Sequence, residues 1–461
     1  MDRTSPPRWS RALVSGLAGH PRRWIALLLV VTAAAAVFAG RWFRADNSAK
    51  VWLLEDDPAM VAYDDYLDQF GNDEVTLIAV LAPDGVYQPE LLEAIRRASD
   101  RIADHPKVAR VSSITASTHI AGDAIEISVE PLLGDEPVTP EVAAATRARV
   151  AADPLLSRAL VGGDDRVTLI AAQMAPLDEV MGQRPFILDD LRAIAADELE
   201  GTGREIHFGG IGVIYDAINR AVLRDTRLFI SLSYLLILGG LFLLFRRLAW
   251  VFLALGIIAI ATLVTAGLFG ALDRKINMVT SIVPTLILTV GVLDLIHLIS
   301  ARREAAPGET ESALAGVAVP CVFNTATDVI GFLALATAPM AGVRDFGLLS
   351  AIGLLFLLAT TLVLAVPALT RDRRPRPAPD GGDWSTRVAL TLGMAGARHR
   401  GLVIAGGALV IGLGIAGTSR IVVDTYNLEF LDADHQARRS HRAIEGAYGP
   451  YIPLEMTVRT P

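Results

Sequence analysis

Two ionisable side chains, Asp294 and His297, stand three residues apart inside an otherwise apolar run, MVTSIVPTLILTVGVLDLIHLIS (residues 278–300). On a helix that spacing puts them on neighbouring faces of one turn. An ionised carboxylate at mid-bilayer costs about 3 kcal/mol on insertion scales, so such a residue faces the bundle interior and has a partner. The next apolar run offers candidates. Asn324, Thr327, Asp328 and Gly331 fall at i, i+3, i+4 and i+7, one polar stripe on a helix otherwise built from residues such as Val322, Phe323, Val329 and Ile330. Burial raises a carboxyl pKa and a nearby cation lowers it, so a carboxyl–imidazole pair can load and release a proton. Asp294, His297, Asn324, Thr327 and Asp328 are therefore read as a proton relay. The alternative is a polar clamp between helices. Gly291 and Gly331 are expected to admit a neighbouring helix at close range. Pro284 is expected to kink its helix, and Cys321 to be a small packing residue.

These residues need a membrane bundle to position them. The 461 residues are 52% hydrophobic, with a mean hydropathy of +0.43, which indicates apolar spans joined to a sizeable polar domain. Seven stretches are long enough for the roughly 20 residues that a bilayer core of about 30 Å requires: 24–40, 228–245, 250–272, 278–299, 316–336, 343–367 and 401–418. The first is too long for a signal-peptide core and lacks a small-residue cleavage site, so it reads as an uncleaved span with Trp24 and Trp42 at the interfaces. Arginines collect on one side: Arg3, Arg8, Arg11, Arg22 and Arg23; Arg246 and Arg247; Arg302 and Arg303; Arg371, Arg373, Arg374 and Arg376. That side is expected to be the cytoplasm. The long acidic segment 41–227 then lies outside a cytoplasmic membrane, periplasmic or extracellular.

That segment reads as α/β. Val75–Leu81, Val108–Ile114, Ala124–Val129, Arg166–Met174 and 204–208 have strand character, separated by helical patterns at 89–104, 139–152 and 185–200. The order predicts two tandem ferredoxin-like subdomains with a junction near 131–138. His105, His119 and His207 are scattered and form no metal or nucleophile constellation, so neither an enzyme nor a cofactor or metal site is expected. A net charge of −8 gives no sign of nucleic-acid binding. The three lysines, Lys50, Lys107 and Lys275, stand in no phosphate-binding loop, which argues against an internal ATP motor.

The beginning of the chain recurs near its end. Asp46 and Asp424 stand 378 residues apart, and at that offset Leu53 meets Leu431, Asp56 meets Asp434, Phe70 meets Tyr448 and Gly71 meets Gly449. Residues 368–400 would link the halves on the cytoplasmic side. The repeat, 419–461, reaches only its first strand, and a lone strand makes no stable sheet. The chain is thus expected to be the first half of a longer protein, with a C-terminal half as a partner.

Several stretches carry a family resemblance. GVLDLIHL (residues 291–298) resembles the G-x-x-D-x-x-H-L signature of the hydrophobe/amphiphile exporter-3, or MMPL-like, branch of the RND superfamily. Pro320, Cys321 and Thr327, followed by Gly331 and Phe332, resemble the fifth span of that branch. Phe346 with Gly347, and VPAL (366–369), fit the ends of its sixth. Outside, DPLL (153–156) with Leu160, Val161 and Asp164, and Gly209 with Gly210 ahead of Arg224 and Asp225, resemble recurring RND segments. The resemblance implies a sterol-sensing-type bundle over spans two to six and an outer porter domain. It also implies export of lipid-like or amphiphilic molecules driven by protons, with Asp294 as the proton site, His297 beside it and Thr327 facing it. A homo-oligomer, dimer or trimer, is left open. Asp328 departs from the family pattern, where a threonine or small residue is usual, and the family's second carboxylate span is absent here. A non-transporting lipid sensor and an accessory factor of protein secretion share the same bundle and are the alternatives.

Overall fold

A computed structural model describes residues 6–42, 46–54, 56–122, 127–162, 164–180, 182–245, 247–372, 384–421 and 426–451. In chain order the elements begin with α1 (Arg8–Gly19), α2 (Pro21–Trp42), α3 (Pro58–Phe70), β1 (Val75–Leu81), α4 (Pro89–Ala103), β2 (Val108–Ser112), β3 (Thr118–Gly122) and β4 (Ile127–Pro131). Then come α5 (Pro140–Ala152), α6 (Pro154–Leu160), β5 (Val167–Met174), α7 (Leu177–Val180), α8 (Arg184–Leu199), β6 (Glu205–Gly209) and α9 (Ile211–Phe245). The chain continues through α10 (Leu248–Ala271), α11 (Val283–Glu304), α12 (Thr310–Leu335), α13 (Ala341–Arg371), α14 (Trp384–Arg398), α15 (Arg400–Thr418) and α16 (Gln436–Ala447). These divide into two compact units. One comprises Met1–Phe43 and Arg224–Thr425, the other Arg44–Leu223 and Tyr426–Pro461.

The first unit is helical. Seven helices among the described residues are long and apolar enough to cross a bilayer: Pro21–Gly40, Ile211–Leu244, Leu248–Ala271, Thr280–Glu304, Thr310–Leu335, Ala341–Arg371 and Arg400–Thr418. They match the seven expected spans, and three of them are extended by a turn or more of polar helix. Helix α13 is the most enclosed, packing against α10, α11 and α12. Pro284 does not kink α11. It sits in the first turn, where its missing N–H costs no helical hydrogen bond. Among the described residues, the prolines inside helices are Pro320 of α12 and Pro367 of α13.

The second unit is α/β, and here one expectation needs correction. The two tandem ferredoxin-like subdomains are instead one sheet of order β2-β5-β1-β6. β1-α4-β2 and β5-α8-β6 are the two halves of a single β-α-β-β-α-β unit. β5 pairs antiparallel with β1 from Val75 opposite Gln173 to Leu81 opposite Val167, while β2 pairs with the other edge of β5. The β3–β4 hairpin, with α5 and α6, is an insertion between β2 and β5. The junction near 131–138 thus falls inside one compact unit. The stretch expected as a strand at 124–129 starts only at Ile127, residues 123–126 lying outside the described set.

Local chemistry sets the helix starts. Asp57 caps α3 by accepting from Ala59 N at 2.8 Å, and Asp153 caps α6 by accepting from Leu155 N at 2.9 Å. β1 is apolar on both faces because both are covered. Ile78 and Val80 join the core with Leu92, Ile95 and Leu191. Ala79, Val167 and Leu169 pack against Ile444 of α16. Gly210 follows β6 with φ +99°, and a Cβ there would lie 2.0 Å from the Val75 carbonyl oxygen, so the turn into α9 requires glycine.

The repeat read from the sequence recurs as structure. Shifted by the Asp46–Asp424 spacing, α1, α2 and α3 coincide with α14, α15 and α16, and the short 3-10 turn Ala49–Val51 with Asn427–Phe430. Residues 426–451 do not begin a separate compact unit. They join the α/β unit, with α16 against β6. Arg3, Arg246, Arg373, Arg374, Arg376 and Asp424, and the expected first strand of the repeat, lie outside the described residues, as does the Trp42 side chain.

Candidate functional site

The site is built on α11 and α12, held by α13. Gly291 brings α11 against α13: a Cβ at this position would be 2.7 Å from Leu357 Cδ1. One turn on, Asp294 is 3% exposed, packed among Gly291, Leu295 and Leu298 on the buried face of α11. On α12 the inward face is Leu314, Ala315, Ala318, Cys321 and Thr325. Small residues at this facing surface let the helices approach closely enough for side-chain contact. The Cys321 thiol there lies beside the Asp294 carboxyl, while His297 and Asp328 stand further along the same two helices.

The expected relay residues thus divide. Asp294 is interior and Asp328 half-buried, whereas His297, Asn324 and Thr327 lie on the outer face of the bundle. His297 shares that face with Leu293, and Asn324 and Thr327 share theirs with Phe323 and Ile330. The Thr327 hydroxyl donates to carbonyls of its own helix, Asn324 O at 2.7 Å and Phe323 O at 3.0 Å. Thr327 therefore does not face Asp294 as the family pattern implied. The i, i+3, i+4, i+7 stripe lies on α12 as expected, but α12 turns its Cys321–Thr325 side inward.

Gly331 departs from expectation as well, since a Cβ there meets open space. The close approach of α12 to α13 uses Gly347 instead, where a Cβ would lie 2.4 Å from the Phe332 carbonyl oxygen. Phe332 and Phe346 meet edge-on beside it, with ring centroids 5.7 Å apart.

Sequence reasoning passed over three features. Cys321 is the small buried residue expected of it, and it also lies beside the acid. Ser350, Thr360 and Thr361 of α13 are buried hydroxyls in the bundle core, invisible to hydropathy because serine and threonine are tolerated in spans. In the α/β unit Glu74 and Arg184 form a buried ion pair, with Arg184 Nε donating to Glu74 Oε2 at 3.1 Å. Burial pushes the Glu74 carboxyl above its ordinary value, and Arg184 draws it part of the way back. Among the described residues, no group of three or more His, Cys, Asp or Glu is placed to hold a metal ion.

Comparison with known proteins agrees with this architecture. The sequence pattern of the MMPL family matches residues 52–387. A protein of Methanocaldococcus jannaschii, named as a membrane protein, is 23% identical over 364 residues, covering 76% of this chain and 90% of the relative. A multi-pass helical bundle carrying a buried acid on α11, joined to an α/β unit, with the family pattern spanning both, identifies this chain as a membrane protein of the MMPL family, within the RND-like transporters.

Proposed function

We propose that the protein exports hydrophobic or amphiphilic, lipid-like molecules from the cytoplasmic membrane, driven by protons that load and leave Asp294. The observation that carries this reading is one carboxyl, 3% exposed, in the middle of an apolar helix, within reach of Cys321, His297 and Asp328. A clamp needs a hydrogen-bonding side chain. It does not need an ionisable one, whose charged form is costly in the bilayer. A buried acid, with a second acid and an imidazole on the same pair of helices, supplies what a proton carrier uses: a titratable group and charges whose rearrangement changes its proton affinity.

On this reading the α/β unit lies outside the membrane and handles substrate as a porter, and the arginine-rich ends of the spans lie in the cytoplasm. The protein moves its substrate without transforming it. Reconstitution in vesicles with an imposed pH gradient and a fluorescent lipid-like substrate is the test. Asp294→Asn keeps the shape and removes the titration, so transport is expected to stop while the protein still purifies folded. Gradient-dependent transport at the wild-type rate would overturn the proposal. Lipid binding that ignores the gradient in the wild type would favour a sensor.

A further inference from the structure

The elbow between α1 and α2 borders an open cavity of about 580 Å³, lined by His20, Pro21, Arg22, Arg23, Ile25 and Arg371. We propose that this cavity binds the phosphate of an anionic phospholipid headgroup. The inference does not depend on the transport reading.

Three arginines line the cavity from two helices. Arg22 and Arg23 come from the first turn of α2, and Arg371 ends α13. The ion pairs described for the helical unit join Arg247 to Asp372, Arg274 to Asp345 and Lys275 to Asp273. Among the described residues Arg22, Arg23 and Arg371 belong to none of them. Arg371 donates one N–H to the Ala18 carbonyl at 3.1 Å, which ties α13 to the end of α1 and fixes the guanidinium at the cavity edge. Planar guanidinium forks match phosphate oxygens in pairs, which ammonium groups do not. A neighbouring cavity of about 490 Å³ shares Arg371 and contains Arg247. There the charge of Arg247 is met by Asp372 at 3.4 Å. The anion therefore belongs in the first cavity.

A lipid rather than a free anion follows from what surrounds it. Helix α1 buries Ser10, Val14 and Leu17 and turns Trp9 and Leu13 outward, the pattern of a helix lying in the interface plane. Past the cavity, α2 presents Trp24, Leu27, Leu29 and Val30 on its exposed surface. A phosphate in the cavity would leave its acyl chains against that surface, with Trp9 and Trp24 at headgroup level. Basic pockets at the ends of spans bind anionic headgroups in this way.

Native mass spectrometry of the detergent-solubilised protein tests it, with phosphatidylglycerol, phosphatidylcholine and soluble glycerol 3-phosphate as probes. Wild type is expected to retain phosphatidylglycerol in preference to phosphatidylcholine. Each basic residue near the surface contributes about a fivefold factor, so Arg22→Gln with Arg23→Gln should weaken retention about 30-fold. Arg371→Gln should weaken it too. Arg22→Lys with Arg23→Lys keeps the charge that orients the first span and should retain more lipid than the glutamine pair. Equal retention of the two phospholipids would overturn the proposal, as would glutamine variants indistinguishable from wild type. Displacement of phosphatidylglycerol by equimolar glycerol 3-phosphate would make this a free-anion site and overturn the lipid assignment.

Discussion

The Cys321 thiol on α12 lies beside the Asp294 carboxyl on α11, in a layer where Gly291 lets α11 close on α13. A thiol is a weak donor that adds no charge. On the proposed function, a weak neutral donor beside the acid leaves it free to change state, as an arginine would not. Cys321→Ala removes the donor and is expected to slow gradient-driven transport while leaving expression and folding intact. Cys321→Ser keeps a donor and should transport faster than the alanine variant. Identical rates for the two would separate the thiol from the mechanism.

Gly347 sets the spacing of α12 and α13. Because a Cβ would lie 2.4 Å from the Phe332 carbonyl oxygen and 2.8 Å from Leu335 Cβ, backbone must move to admit one. Gly347→Ala is expected to destabilise the bundle by about 1–3 kcal/mol, the usual cost of overpacking. Gly331→Ala, which meets open space, should leave stability within about 0.5 kcal/mol. Thermal unfolding in one detergent compares the two directly, and equal midpoints would contradict the packing described.

The Glu74–Arg184 pair fastens the beginning of β1 to α8, and both side chains are buried. Arg184→Met leaves a buried carboxylate without its partner and should cost about 3–5 kcal/mol. Adding Glu74→Leu removes the stranded charge, so the double variant should regain most of that loss. Chemical denaturation of the three proteins reads the difference. A double variant no more stable than Arg184→Met would show that the pair acts through packing alone.

His441 of α16 lies between two phenols, 2.7 Å from Tyr426 Oη and 2.7 Å from Tyr451 Oη. Neutral imidazole offers one donor and one acceptor, so one tyrosine donates and the other accepts. Burial lowers the His441 pKa below its ordinary 6.5, against the opposing pull of Glu445. A base whose folded value is depressed binds its proton more readily when unfolded. Its contribution to stability is full above about 6.5 and is lost as pH falls below it. Hydrogen exchange along Gln436–Ala447 should therefore quicken between pH 7.5 and 5.5, relative to β1. In His441→Gln that acceleration should largely disappear, and its persistence would place the pH dependence elsewhere.

Legibility varied with the range of the interaction. Asp294 could be singled out because a carboxylate in an apolar run is conspicuous with no partner known. Its contact with Cys321 was not legible, since nothing in the sequence sets the rotation of α12 about its axis. That rotation sends Thr327 and Asn324 outward and Thr325 inward. For the same reason Gly331 and Gly347 were equally plausible packing sites until the helices were placed.

The sequence by itself determined the seven spans, the segments of β1, β2, β5 and β6 with helices α4, α5 and α8, and the order of features that recurs from α2 and α3 to α15 and α16. Each depends on local hydropathy, period or order, which neighbours along the chain specify completely. Tertiary structure alone decided that β5 slots between β1 and β2, and that α16 covers the opposite face of that sheet. It also decided which residues of α12 meet the buried acid. Strand order and helix rotation are settled by contacts between residues far apart in the chain, where many pairings satisfy the same pattern and only the packed arrangement distinguishes them.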